Sequence, residues 1–380
     1  MARLGDICYK ITDGSHNPPN GISDSEFWML SSKNIYDDYI TYDDPLYLSR
    51  ENFEIENKRT QIKSGDILLT IVGTVGRVAV VPENANNICL QRSVAVIKPN
   101  TDIVLPRFLM YQIQSMKNVL EKEAKGVAQK GIYLQQVENL PVKIFEYDVQ
   151  KKIVCDLDKV SNLISLRKQQ LSKLDELVKS RFIEVFGDPE TNPYGYPTKK
   201  LSDVASYWNG LTYKPEDVQD QGTIVLRSSN IQNSQLDFED TVRVTCKIRE
   251  KQYVQNNDIL MCSRNGSAKL VGKVALITNI SEPMSFGAFM MIIRSDYYRY
   301  LMTYFQMDAF RNQIKTGATT TINQITGTML NQVILPVPDL SVVSQFATFV
   351  EQIDKSKFEI QQSLEKLETL KKALMQKYFG

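Results

Sequence analysis

Histidine is almost missing: one residue, His16, stands in 380. That excludes His-based catalytic triads and most metal sites built on imidazole. The five cysteines lie scattered at 8, 89, 155, 246 and 262. No pair has metal-ligand or redox-motif spacing, so reduced thiols in a cytoplasmic setting are expected. An excess of one charge is also missing, since 45 Lys and Arg face 44 Asp and Glu for a net +1. This argues against a basic protein that coats nucleic acid, and it leaves room for a local basic cleft. No apolar run approaches the ~20 residues that cross a bilayer, and the N-terminus lacks a secretory signal pattern. The phosphate-cradling G-x-x-x-x-G-K-[ST] signature is absent, which argues against an NTP motor. No paired-carboxylate nuclease constellation stands out. What remains is a chain 42% hydrophobic and 23% charged, an ordinary globular composition with length for two cores.

One helical stretch occurs twice. The first copy, from about Gln150, ends KLDELVKSRFIEVFG; the second, from about Val343, ends KLETLKKALMQKYFG. Phe186-Gly187 thus matches Phe379-Gly380, 193 positions later, close to half the chain. Within the first copy Ile153, Leu157, Val160, Ile164, Leu171, Leu174 and Val178 follow steps of four and three, with Arg167 in the gap. The second gives Phe346, Val350, Ile353, Ile360, Leu364, Leu367 and Leu374, with Lys357 and Lys371 in the gaps. This is an a/d seam of period near 3.5, which wants a partner helix. The three seam cations cost stability and are read as fixing register. About 38 residues at ~1.5 Å each make a rod of roughly 55 Å. The blander alternative is that each helix packs only on its own globular part.

The rest of the chain repeats in the same order. SGDILLTIVGTVGRVAVV reads as strand, glycine turn, strand, and NNDILMCSRNGSAKLVGKVALI echoes it. WMLSSKNI is echoed by IVLRSSNI, and PRFLMYQIQSMKNVLEKE, read as a helix opening on Pro106, by RYLMTYFQM. The expected organisation is a globular domain at 1–143, a long helix at 144–187, a connector at 188–197 rich in Pro, Asn and Gly, a second domain at 198–337, and a second long helix at 338–380. The fold class is α+β with an internal repeat.

Asn17-Pro18-Pro19-Asn20 resembles the Asn-Pro-Pro-aromatic motif of adenine N6-methyltransferases, but its fourth position is Asn rather than an aromatic. Gly73 and Gly76 do not make a G-x-G-x-x-G cofactor loop, so the motif reads as a turn and the chain as non-catalytic. Binding is the better reading. Ser32, Lys33, Asn34, Arg77 and Arg92 sit at turns or strand ends of the first repeat, with Lys125, Gln129 and Lys130 before the first long helix. Arg227, Ser229, Asn230, Arg264, Asn265, Lys269 and Lys315 take matched places in the second. Arg and Lys suit phosphates and guanine edges, Asn and Gln suit adenine edges, and Ser and Thr serve either. Ser15, His16, Thr74, Tyr213, Lys214 and Thr319 complete the candidate DNA contacts. Tyr133 and Phe286 are candidates to stack or pack.

These residues match a family over the whole chain. Asp13-Gly14-Ser15-His16 with Pro18 and LSSKNI, SGDIL with its glycine turn, QRSVAVIK, the K-G-x-A-Q segment ending in Leu140-Pro141-Val142, and FGDPETNPYGYPTKKLSDV resemble the specificity subunit of type I restriction–modification systems. So does the final helix. The resemblance implies two target recognition domains, each reading half of a split, asymmetric DNA site. It implies an antiparallel coiled-coil spacer with pseudo-two-fold symmetry, which docks two methyltransferase subunits, with restriction subunits joining them. It also implies that S-adenosylmethionine, ATP and Mg belong to those partners. One departure is Val343 where Gln150 predicts Gln, so the second helix is expected to start differently. Rival readings are a scaffold joining two protein-binding domains, and a reader fused to its own nuclease or methyltransferase.

Overall fold

The computed structural model describes residues 1–85, 87–124, 131–315 and 323–380. It divides into two compact units, one made of 1–169 with 361–380 and the other of 170–360. The expected long helices span Tyr147–Phe186 and Leu340–Phe379. Each compact unit contains part of both helices, so its bounds differ from the sequence-order division into domains and spacers.

In the first unit the central sheet has the order β1 (Cys8–Asp13), β7 (Val94–Pro99), β4 (Ile67–Thr70), β5 (Val78–Val80), all antiparallel. A second sheet has β2 (Phe27–Leu30) between β3 (Leu46–Leu48) and β6 (Ile88–Leu90), with β2 and β6 parallel. All four residues of β4 are buried. The cause is a core on each face, which makes a strand a continuous apolar run instead of an alternating one. Ile67, Leu69, Ala95 and Ile97 enter the core that holds the helices. Leu68, Val94 and Val96 enter the core with Leu30, Ile88 and Leu90 of the second sheet.

The second unit repeats this plan. Its central sheet has the order β8 (Ser206–Asn209), β14 (Met290–Arg294), β11 (Ile259–Cys262), β12 (Val274–Leu276). Beside it β9 (Thr223–Leu226) lies between β10 (Arg243–Val244) and β13 (Met284–Phe286), the last pair again parallel. Ile259 and Met261 face the helical core, and Leu260 and Cys262 the other. The Asp of SGDIL and NNDIL is structural in both units. Asp66 accepts the Lys63 N–H at 2.8 Å and pairs with Lys98, while Asp258 accepts the Gln255 N–H at 2.7 Å and binds Arg294 through two bonds of 2.6 and 2.8 Å.

The stretch after Pro106 forms two helices rather than one, Pro106–Ser115 and Lys117–Glu123, broken at Met116. An unexpected helix, Arg50–Thr60, is capped by the Ser49 hydroxyl and buries only Phe53 and Thr60.

The long helices run antiparallel within each unit. In the first, Tyr378 bonds Asp156 at 2.7 Å and Lys168 pairs with Glu368 at 3.3 Å. In the second, Phe182 lies 5.8 Å from Phe346 and Lys357 pairs with Asp175. Leu157, Val160, Val350, Ile353 and Leu364 of the seam are buried, and Ile164, Leu171, Leu174, Ile360 and Leu367 are half-buried. Lys357 and Lys371, two of the three seam cations, are both mostly buried and both paired, Lys371 with Asp38 at 2.6 Å. Each pair offsets part of the cost of burying an ammonium.

An arginine ties each globular part to a helix. Arg107 holds Asp158 with Nε 2.9 Å from Oδ1, and the Tyr111 hydroxyl reaches the same oxygen at 2.7 Å. Arg299, in the matched helix Tyr298–Tyr304, holds Asp354 at 2.8 Å. The helix starts differ as expected. Gln150 is fully buried, accepting the Leu105 N–H at 2.8 Å and donating to the carbonyls of Ile103 and Phe145. Val343 instead packs in the apolar core.

Candidate nucleic-acid interface

Where the two sheets of each unit meet, the backbone frame is the same in both. Gly14 donates its N–H to the Val94 carbonyl at 3.2 Å, and Gly210 donates to Met290 at 3.2 Å. The next amides, of Ser15 and Leu211, reach Leu90 and Phe286 at 2.7 Å. A Cβ on Gly14 would stand 2.1 Å from the Leu90 carbonyl oxygen, and one on Gly210 would stand 2.1 Å from that of Phe286. Only glycine allows this approach. On the far side single antiparallel bridges join Val72 to Gly131 and Arg264 to Gln324.

In the second unit this frame encloses an open cleft of about 840 Å³. Tyr213, Arg227, Ser229, Arg264 and Asn265 all line it, so five of the expected contacts converge. The Arg264 guanidinium lies 5.3 Å from the centre of the exposed Phe289 ring and makes no ion pair among the described residues. Asn265 donates to the Ser228 hydroxyl at 3.2 Å and accepts the Ser267 N–H at 3.0 Å. Arg227 is committed on one side, with Nη2 2.7 Å from Asp240. Lys214 and Lys269 are exposed outside the lining, Lys214 paired with Glu216 at 3.1 Å.

The first unit presents different side chains. Ser15 and Arg92 stand on the matched rim, where the Arg92 N–H reaches the Ser15 carbonyl at 2.8 Å. His16 bonds Asp13 at 2.9 Å, and Arg59 holds the same carboxylate. The Ser32 N–H donates to the Ser93 hydroxyl at 3.1 Å. Lys33 pairs with Asp44 at 2.6 Å, and that ammonium holds the Asp44 carboxyl below the usual carboxylate range. Thr74 and Arg77 line a separate, smaller hollow of about 340 Å³ with Lys117, which Ser15, Ser32, Lys33 and Arg92 do not line. The Arg77 guanidinium sits 4.8 Å from the Tyr36 ring centre.

Two expected contacts are corrected. Asn34 and Asn230 are each 1% exposed. Asn34 accepts the Ser31 N–H at 3.1 Å and donates to the Asp43 carbonyl at 2.9 Å. Asn230 accepts the Arg227 N–H at 2.8 Å and donates to the carbonyls of Asp237 and Asp240. Both amides shape the loop and are unavailable to a base edge. Phe286, a candidate to stack, is fully buried, whereas Tyr133 is exposed. Lys125, Gln129, Lys130 and Thr319 lie outside the described residues, as does the side chain of Lys315. Phe289 and Lys117 were not anticipated. Phe289 follows Gly287 between two apolar strands and reads as core; only its place in the turn hinted otherwise. Among the described residues no cluster of His, Cys, Asp and Glu has metal-site geometry, and no helix is long and apolar enough to cross a membrane.

Comparison with known proteins agrees with this architecture. The family model described as the type I restriction modification DNA specificity domain matches residues 3–176 and again 193–372. The StySPI type I restriction enzyme specificity subunit of Salmonella potsdam is 28% identical over 196 residues, 48% of this chain and 42% of that protein. The EcoBI specificity subunit of Escherichia coli is 27% identical over 186 residues, 47% of this chain and 38% of that protein. The matched stretch therefore spans less than half of these curated relatives. Among solved structures, the S subunit of a type I restriction–modification system from M. genitalium covers 100% of this chain and 95% of its own at a TM-score of 0.54 and 12% identity. A chain from a structure on assembly and conformational transition of the type I R-M system gives 0.51 at 17% identity, covering 100% and 96%. At these identities the likeness is one of fold.

Proposed function

Because the chain belongs to the type I restriction modification DNA specificity family, we propose that it selects the DNA sequence on which a type I restriction–modification enzyme acts. The observation that carries this reading is one backbone frame, repeated in both units and surrounded by different side chains in each. One frame with two chemistries is what reading two unlike half-sites requires. In the second unit Arg264, stacked on Phe289, offers a guanidinium fork suited to guanine O6 and N7, with Asn265 and Tyr213 at its sides. In the first, Arg77 and Arg92 take that part, and Lys and Arg around both frames meet phosphates.

The chain itself is non-catalytic in this reading. Two methyltransferase subunits and the restriction subunits supply the chemistry, with S-adenosylmethionine, ATP and Mg bound to them, and the assembly works in the cytoplasm. The paired long helices hold the two readers and dock the partners, and their length fixes the spacer between half-sites.

The test is to co-express the chain with the methyltransferase subunit of its own system and map methylated adenines across the host genome. A split motif with a constant spacer is expected. Replacing Arg264 and Asn265 together by Ala should relax one half of that motif and leave the other half intact. Methylation without sequence preference would reject the reading, and equal loss at both halves would reject modular reading.

A further inference from the structure

The seam lysine of the second long helix reaches the loop beside the Arg77 hollow of the first unit. Lys371 bonds Asp38 at 2.6 Å, and its ammonium also lies 5.5 Å from the Tyr111 ring centre. The two side chains are 17% and 22% exposed. The other Asp38 oxygen, Oδ1, is buried with no partner among the described residues, so the carboxylate depends on this lysine. Asp38 itself has φ +76°, a left-handed turn conformation that Asp adopts more readily than most non-glycine residues.

From Asp38 the contacts lead to the hollow. Its N–H donates to the Val78 carbonyl at 3.1 Å, and Asp37 accepts the Val78 N–H at 3.2 Å. Asp37 also accepts Lys117 at 3.0 Å. Val78 follows Arg77, whose guanidinium rests on Tyr36, and Tyr36 stacks on Tyr39 with centres 4.9 Å apart and planes 2° from parallel. Residues 36–39 therefore lie between the helix lysine and the candidate reader Arg77.

The second unit does without such a pair. The seam position 193 residues before Lys371 is Val178. The matched loop turns through Asn233 and Ser234, both at positive φ, and is held by a 3.1 Å bond between Ser234 and Gln306. An apolar residue thus serves the seam at Val178, and a mostly buried ion pair adds little stability over one. Packing alone leaves Lys371 unexplained.

We propose that Lys371 is a positioning residue for the Arg77 hollow of the first unit: through Asp38 it fixes the loop that orients Arg77, so the second long helix sets how one half-site is read and not the other. This rests on the DNA-reading function proposed above.

The experiment compares wild type, K371M and K371R, each co-expressed with the methyltransferase subunit, by mapping methylated adenines. K371M should lower discrimination at one half-site about tenfold, the order of one lost base contact, keep the other half-site intact, and be rescued by K371R. Hydrogen exchange on the full chain gives a second readout. K371M should speed exchange at residues 36–40 and 77–78, and K371R should not. Unchanged motifs and unchanged exchange would overturn the proposal. So would equal loss at both half-sites, which would mean that the pair holds the helices and not the loop. A wild-type assembly that methylates without a split motif would instead remove the DNA-reading function on which the proposal stands.

Discussion

Asn34 and Asn230 show how a residue repeated in matched loops can belong to the frame instead of the reading surface. Each closes its loop with both ends of the amide, at 1% exposure. Alanine at either leaves buried donors and acceptors unpaired, at about 1–3 kcal/mol each. Asn34→Ala and Asn230→Ala should therefore lower the melting temperature, each by loosening the loop of its own unit, as melting experiments would show. Cysteine behaviour follows burial in the same way. Burial pushes the Cys89 thiol up to about 12, and Cys262 is also buried and raised, whereas Cys155 is exposed. A maleimide near neutral pH should label Cys155 first and reach Cys89 and Cys262 only on unfolding, which peptide mapping would check. Because the folded Cys89 pKa is raised, its contribution to stability is complete below the pKa of an unfolded thiol, near pH 9. It is lost as pH rises towards 12. Alkaline melting of Cys89→Ala should be shallower over that window than wild type.

At the scale of elements, the long helices were the most legible part of the sequence because one periodic pattern runs through each from end to end. The seam repeats over some 38 residues, its outer turns also entering the globular cores, and the observed bounds, Tyr147–Phe186 and Leu340–Phe379, lie close to those expected. Burying charge there has a direct consequence. Leu364→Asp with Leu367→Asp places two carboxylates in a seam where Leu364 is 6% exposed. The loss should be several kcal/mol, seen as a lower melting midpoint and weaker co-purification with the methyltransferase. The helix Arg50–Thr60 was not legible, since RENFEIENKRT buries only Phe53 and Thr60 and so carries no apolar stripe. Its one advance signal was Ser49 as a cap. The break at Met116 was hidden for the opposite reason, since apolar residues run through it on both sides. The candidate sites were half legible: the cations at strand ends were visible, while Phe289 was masked by its apolar neighbours. Asn34 and Asn230 could not be told from readers without knowing which way their amides turn.

For the whole molecule, a net charge of +1 sets the expected energetics of DNA binding. With 44 acidic residues against 45 basic ones, long-range attraction to phosphate is small, and the partners must supply much of it. The chain alone should bind its target weakly, and the assembly with the methyltransferase should bind strongly. Titrations at several salt concentrations would check this through a steeper salt dependence for the assembly. Equal affinity with and without the partner would contradict it.

The compact units are also interleaved along the polypeptide. The unit of residues 170–360 is continuous, whereas the other joins 1–169 to 361–380. During synthesis the continuous unit has all its parts while the earlier-made one still waits for residues 361–380. Until Leu374, Met375, Tyr378 and Phe379 arrive, the face of the first long helix that carries Ile153 and Leu157 lacks part of its cover. The unit begun first is therefore completed after the other, and in that interval an apolar stripe is open to chaperones or to a neighbouring nascent chain.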